Sequence, residues 1–458
     1  VSVTRTMSAA LLRIQLGNAL AAFGNGFTAP FLFVYASRVR GLGDGTAGAV
    51  LAVFAVVALA VLPFTGRVID RRGPMPVALA GSGLGMVGAL GFGMAESAPY
   101  VLASSALMGA GVAVLQPALA TMIVSCSTTV TRSHAFATQF FLNNLGLGIG
   151  GLLGGLMVDE HRPATFTLLF VIESAMFVVL ALVLVTVRLP RLTSGEVDAV
   201  RGPAAASATT RESPADSWSV LLRDRSMVLL CVLGFVLFFA CYGQFESGLS
   251  AYAVEVTRIS TSTLGVALAA NTAMIVLAQY VVLRLVERRR RSRVVALVGL
   301  IWAVAWVAAG VSGLVHGTQA VATTLLITTY ALFGVGETML SPTVAPLVAD
   351  LAPKRLLGQY NSAFALVKQM ALALGPAVGG LLAAVGAYGT YIVMLVGCSL
   401  GVSCLALWLG RRLTAVQDRP YRSVVVAGSS AAHRHPSEVE EGVMTEMITE
   451  ERRTMASV

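Results

Sequence analysis

Four ionisable side chains sit inside long apolar runs of this chain: Glu173, Glu246, Glu337 and Lys368. A charge in hydrocarbon costs about 2.5–3.5 kcal/mol even on insertion scales, so each is a candidate for function. A carboxylate that alternates between wet and dry surroundings can load and release a proton, and a nearby ammonium opposes the loading. Counted at about 1.5 Å per helical residue, Glu337 and Lys368 both lie roughly 13–18 Å from the same ends of their runs. That depth allows a buried pair near mid-membrane. Two readings stand side by side: Glu337 carries a coupling proton that Lys368 modulates, or the two form an ion pair that only ties their helices together. Glu246, beside Gln244, reads as a proton carrier or as the counter-ion of a cationic substrate. Glu173, at intermediate depth, faces either a helix interface or a water crevice.

Uncharged polar residues on the same kind of run are the next candidates. Asn25, Gln139, Asn143, Gln244 and Asn271, with the aromatic Phe27, are expected to line a central substrate cavity. Such cavities are largely apolar, with a few polar groups that orient the ligand. The competing reading of each is hydrogen-bonding between packed helices.

These residues must be carried by membrane helices. The 458 residues are 56% hydrophobic and 12% charged, about half the charged fraction of a globular chain, with a mean hydropathy of +0.79. Lipid cannot satisfy exposed backbone groups, so each crossing needs about 20 mostly apolar residues in a helix. Twelve runs qualify: roughly 11–36, 47–65, 76–96, 99–124, 136–158, 165–187, 226–252, 263–285, 294–314, 320–348, 360–385 and 389–410. The second six echo the first. Arg67-Val-Ile-Asp70-Arg71-Arg72 returns as Arg284-Leu-Val-Glu287-Arg288-Arg289, and Gly109, Gly111, Leu115 and Pro117 return as Gly334, Gly336, Leu340 and Pro342. Gly146, Gly150 and Gly151 return as Gly375, Gly379 and Gly380, and Gly26 and Tyr35 as Gly243 and Tyr252. The fold expected is all-α: twelve transmembrane helices in two pseudo-symmetric six-helix bundles, with substrate handled where the halves meet.

Charge placement sets the expected orientation and excludes other classes. The net charge of +9 comes from arginines concentrated in alternate loops, around 67–72, 188–225, 284–293 and from Arg411 onward. This positive-inside asymmetry puts both termini in the cytoplasm; a nucleic-acid site would need one continuous basic face. The five cysteines lack metal-ligand spacing, and all five histidines fall in loops or the tail. No metal, cofactor or catalytic constellation is expected, and the chain does not read as an enzyme. The first apolar run lacks a cleavage pattern and extends to full span length, so it is not expected to be a removable signal. A channel would need charge rings or a carbonyl filter, and the sequence displays neither.

The loop Gly66-Arg-Val-Ile-Asp70-Arg71-Arg72-Gly73 resembles the signature loop of the major facilitator superfamily. The resemblance covers residues 11–410 and is closest to the twelve-helix bacterial drug/proton antiporter-like, multidrug-efflux branch. Gly24-Asn-Gly26 with Pro30 and Tyr35, Tyr242-Gly-Gln244-Phe-Glu246-Ser, and Gly336-Glu337 with Pro342 and Ala349-Asp350-Leu-Ala-Pro353 are similar to that branch. Asp70 lies just past a helix end and can place its carboxylate at the positive N-terminus of a neighbour. The resemblance implies that this neighbour is span eleven, near Gly358-Gln359-Tyr360. Gly66, Asp70, Arg71 and Gly73 then form a conformational latch, and Glu287 forms a looser second one, because Leu283 and Arg290 replace the loop glycines. Two departures matter. Leu147 stands where the antiporter motif of span five has proline, and Ser105 stands where many proton antiporters of the superfamily carry an arginine.

The organisation expected is a first bundle over 1–188, a cytoplasmic linker over 189–225, a second bundle over 226–410 and a mostly disordered cytoplasmic tail over 411–458. Within that tail, Ser437-Glu-Val-Glu440 has the pattern of a capping box before a short amphipathic helix. The function expected is proton-coupled export of small amphipathic compounds by alternating access, in a bacterial inner membrane, by a monomer. The partners are the substrate, protons and membrane lipids, and the proton gradient takes the place of any cofactor. Import or facilitated passage of a polar nutrient, and lipid flipping on the same fold, are the alternatives.

Overall fold

The computed structural model describes residues 9–159, 161–189, 214–245, 248–315 and 318–420. Glu246, residues 190–213 of the linker and the 437–448 pattern lie outside the described residues. Among the described residues the chain is entirely helical, with twelve helices long and apolar enough to cross a membrane. Spans one to six are Ala9–Val39, Gly43–Arg72, Pro74–Met94, Ala98–Ser125, Arg132–Met157 and Pro163–Val185. Spans seven to twelve are Arg225–Phe245, Thr263–Val286, Arg291–Ser312, Gln319–Leu351, Lys354–Ala384 and Tyr388–Gly410. Short helices at Pro214–Arg223 and Ala415–Asp418 flank the second half, and a third, Gly248–Glu255, lies between spans seven and eight.

Local chemistry sets the helix ends. Asp224 caps span seven by accepting from the backbone N–H of Ser226 and Met227, and Ser260 accepts from Thr263 N–H before span eight, each satisfying donors that a helix start leaves open. Gly73 turns the chain from span two into span three at φ +84°. A Cβ there would meet nothing within 4 Å, so the glycine is required by its backbone angle alone.

The duplication appears in the packing. In the first half, span one packs on five and six, four on two and three, and three on six; in the second half, seven packs on eleven and twelve, ten on eight and nine, and nine on twelve. These are the same five pairings shifted by six spans. The two bundles meet through span two against eleven and span five against eight, which is again a symmetry-related pair. Each bundle has its own apolar core. Tyr35, Phe92, Phe166 and Phe170 fill the first, and Trp302, Trp306, Tyr330, Phe333 and Tyr391 the second. Leu156, Leu277 and Val393 point outward, as lipid-facing positions should.

Candidate functional site: a cavity between the bundles and a bonded end

A cavity of about 470 Å³ lies between the bundles, lined by spans one, four, five and six on one side and spans seven, ten and eleven on the other. The first-bundle wall is rich in amides, including Asn25, Gln116, Gln139 and Asn143. Gln139 Nε2 donates to Asn143 Oδ1 at 2.6 Å, one helical turn away. The second-bundle wall is apolar and aromatic, with Phe238, Tyr242 and Phe364, and it carries the cavity's charged groups, Glu337 and Lys368.

Glu337 is 4% exposed. Asn271 Nδ2 donates to its Oε1 at 3.0 Å and also reaches the Tyr330 carbonyl at 3.3 Å, and the Tyr242 hydroxyl faces the same carboxylate. The Lys368 ammonium rests over the Phe238 ring, 5.2 Å from its centroid, a contact that stabilises a desolvated cation. The two charges share the cavity and sense one another, but no direct ion pair joins them among the described residues. A static bridge between spans ten and eleven is therefore not what this structure contains. Each charge is held by neutral partners of its own.

Three of the expected cavity residues sit elsewhere. Phe27 packs span one onto span five, its backbone close to Gly154 and its ring edge-on to Phe23 at 4.9 Å. Gln244 is fully buried, and its Nε2 donates to the carbonyls of Phe239 and Gly375, each at 3.2 Å. It bridges spans seven and eleven where Gly243 and Gly375 bring the backbones together. Asn271 stands behind Glu337 and does not line the cavity. Ser105, in the position noted for its missing arginine, donates to the Val50 carbonyl at 2.6 Å and joins spans four and two.

The bundles are bonded together at the end that carries the 66–73 loop. Asp70 accepts from the backbone N–H of Gly358 at 2.6 Å and of Gln359 at 3.0 Å, at the start of the helix Leu357–Ala384. Gly66 makes the approach possible, since a Cβ there would lie 2.6 Å from Gln359 Cα and 2.8 Å from the Gly358 carbonyl. Ser362 donates to the Leu62 carbonyl, Asn361 Nδ2 to Thr121 Oγ1 at 3.1 Å, and Ser341 to the Phe136 carbonyl at 2.7 Å. Arg71 is exposed, and the Glu287 side chain forms no hydrogen bond or ion pair among the described residues, its backbone N–H alone donating to the Leu283 carbonyl at 3.0 Å.

A different acid supplies the second tie. Asp350, at the end of span ten, is held by Arg132 of the first bundle and by Arg291 of the second, the latter at 2.5 Å. Arg291 also reaches Ser133 Oγ across the bundles at 3.2 Å and the Gln417 carbonyl at 3.1 Å. Asp350 belongs to the span-ten stretch that resembles the family, but its partners are not visible in the sequence. Its partners lie 218 and 59 residues away, and the available signal was an acid at a span end facing the same side as the arginine-rich loops.

Comparison with known proteins settles the class. The Major Facilitator Superfamily model matches residues 14–322 and 255–436, and the chain belongs to that family. It is 24% identical over 382 residues to an uncharacterised MFS-type transporter, YdeE, of Escherichia coli, covering 82% of this chain and 89% of that one. It is also 28% identical over 174 residues to multidrug resistance protein 1 of Bacillus subtilis, covering 37% of this chain and 44% of the relative. Among solved structures, the transporter FucP in its outward conformation matches with a TM-score of 0.72 at 16% identity, over 88% of this chain and 99% of that one. A bacterial homologue of ferroportin matches with a TM-score of 0.67 at 17% identity, over 88% and 98% of the two chains. The protein is a multi-pass membrane transporter of this superfamily.

Proposed function

We propose that the chain is a proton-coupled exporter of small amphipathic compounds, acting as a monomer in a bacterial inner membrane with both termini in the cytoplasm. The observation that carries this reading is Glu337, a carboxylate buried at the wall of a mostly apolar cavity, hydrogen-bonded by Asn271 and with no direct ion pair among the described residues. Opening the cavity to water on one side exposes Glu337 to solvent, and closing it returns the carboxylate to a dry wall; each step changes its proton affinity. A proton on Glu337 and a cationic or donor-bearing substrate beside it disfavour each other, which is the coupling an antiporter needs. Lys368, on the same wall of the cavity, opposes loading. The Asp70 and Asp350 ties close the cytoplasmic side in one state and release it in the other. Partial kinship with a multidrug resistance protein agrees with an amphipathic substrate.

The test is ethidium exchange in proteoliposomes under an imposed pH gradient. Gradient-driven ethidium movement, lost on adding a protonophore and lost in Glu337→Gln, is the expected result. Movement that persists in the variant with the same proton dependence removes Glu337 from the mechanism. Movement indifferent to the gradient in the wild type removes proton coupling altogether.

A further inference from the structure

A second buried carboxylate, on the opposite bundle, has the geometry to act on the cavity without lining it. Glu173 in span six is completely enclosed. Thr28 Oγ1 donates to its Oε2 at 2.7 Å and Asn25 Nδ2 to its Oε1 at 3.2 Å. Gly24 allows this approach, since a Cβ there would lie 2.9 Å from Met176 Cβ and 3.1 Å from Glu173 Cα. Asn25 is half-buried, with Glu173 on one side and the cavity on the other. The repeat that aligns Gly26 with Gly243 also aligns Asn25 with Tyr242. Both residues line the cavity, and both lie against a buried carboxylate.

We propose that Glu173 is a second proton-binding site, and that its protonation reverses the hydrogen-bonding end of Asn25 presented to the substrate. An ionised carboxylate only accepts hydrogen bonds, so Asn25 must turn its NH₂ toward Glu173 and leave its carbonyl oxygen to the cavity. A protonated Glu173 carries one O–H donor. With Oε2 still accepting from Thr28, that donor sits on Oε1 and needs an acceptor, because an unpaired buried O–H is costly. Asn25 supplies one by rotating its amide through a half-turn, which points its NH₂ into the cavity. One proton from the cavity water thus turns an acceptor on the wall into a donor. A substrate bearing an ammonium, amine or hydroxyl donor gains a partner when Glu173 is ionised and loses it when Glu173 is protonated. This has the sign of proton–substrate exchange. That consequence rests on the proposed export reading, whereas the titration and the amide rotation do not.

Among the described residues no other charge competes for the site. Spans one, three and six, which surround Glu173, carry only Arg13 and Arg38 as further charged residues. Arg13 bonds the Thr186 carbonyl at 3.2 Å near one membrane face, and Arg38 lies at the far end of span one. Their other titratable group, Tyr35, gives its hydroxyl to the Phe92 carbonyl and accepts from Arg40 Nε at 2.8 Å, and Arg40, just past the far end of span one, also bonds the Gly93 carbonyl at 2.9 Å.

Infrared difference spectra of the purified full chain between about pH 5 and pH 10 test this without any substrate, since protonated carboxyls and asparagine amides absorb in separate regions. Among the protonated-carboxyl bands that titrate, one should be lost in Glu337→Gln and a distinct second one in Glu173→Gln. The asparagine amide should change over the same pH interval as the second band, and this change should vanish in Glu173→Gln and in Asn25→Leu. Thr28→Val and Asn25→Leu keep the carboxyl and should each shift its band, so the proposal stays testable if Glu173→Gln does not fold. Spectra in which Glu173→Gln matches the wild type, or in which neither Thr28→Val nor Asn25→Leu moves a carboxyl band, overturn it. Failure of ethidium exchange would leave these spectra unaffected.

Discussion

Replacing Asp70 should open the end of the transporter that carries the 66–73 loop, by an amount that can be worked from its contacts. The carboxylate accepts two backbone N–H bonds, at 2.6 and 3.0 Å, from the first turn of the helix Leu357–Ala384. Charge-assisted bonds contribute about 1.5–3 kcal/mol each in a folded site, and a carboxylate at a helix N-terminus adds about 0.3–1 kcal/mol. Opening returns these groups to water, so the net preference for the closed state falls short of that sum. Losing about 2–3 kcal/mol in Asp70→Ala corresponds to an open-state population raised on the order of 30- to 150-fold. Asp70→Asn keeps one acceptor oxygen and should lose about 1–1.5 kcal/mol, on the order of 5- to 12-fold. The assay is labelling of Ala345→Cys, which lines the cavity, by an impermeant maleimide applied from the loop side. The background is one in which Cys126, Cys231, Cys241, Cys398 and Cys404 have been replaced. Arg71→Ala is the control, because Arg71 is exposed and should leave the rate within about twofold. Labelling rates that do not rise in Asp70→Ala, or that rise equally in Arg71→Ala, refute the reasoning.

Gly66→Ala should force spans two and eleven apart, since its Cβ would fall on Gln359 Cα and the Gly358 carbonyl. Faster labelling at Ala345→Cys and a lower melting temperature in detergent are the expected outcomes. Asp350→Asn leaves Arg132 and Arg291 buried without their carboxylate; breaking such a cluster costs about 3–5 kcal/mol. Thermal unfolding should show a loss far larger than that of Glu287→Gln, which should be near neutral. Lys368→Met removes the cation that shares the second-bundle wall of the cavity with Glu337 and should ease proton loading. The pH midpoint of the Glu337 carboxyl infrared band should then move upward, and an unmoved midpoint would show that the two groups do not communicate.

Much of the architecture was legible from residue order. Lipid demands long apolar helices, so composition revealed twelve spans, and recurrence of glycines, prolines and the arginine loop revealed the duplication. Asp70 was readable as a helix-terminus ligand because it lies just past a helix end, while its partner, span eleven, came from the family resemblance of the loop. That Glu337 and Lys368 could meet, as an ion pair or as a proton carrier and its modulator, followed from depth, which helix rise provides. Depth alone did not show that each has a neutral partner of its own, Asn271 for the carboxylate and Phe238 for the ammonium.

What remained for the tertiary structure was the rotation of each helix about its own axis. A span's polar residue faces a cavity, a neighbour or lipid according to how glycines and bulky side chains on adjacent helices interlock, and those neighbours can be two hundred residues away. Gln244 has the same chemistry as Gln139, yet Gly243 and Gly375 turn it into a brace between spans seven and eleven. Glu173 became a partner of Asn25 only because Gly24 lets spans one and six close together. Asp350 found Arg132 and Arg291 only once the two bundles had docked. The apolar pattern alone dictates which segments enter the membrane, but the direction each side chain faces is settled by packing among all twelve helices at once.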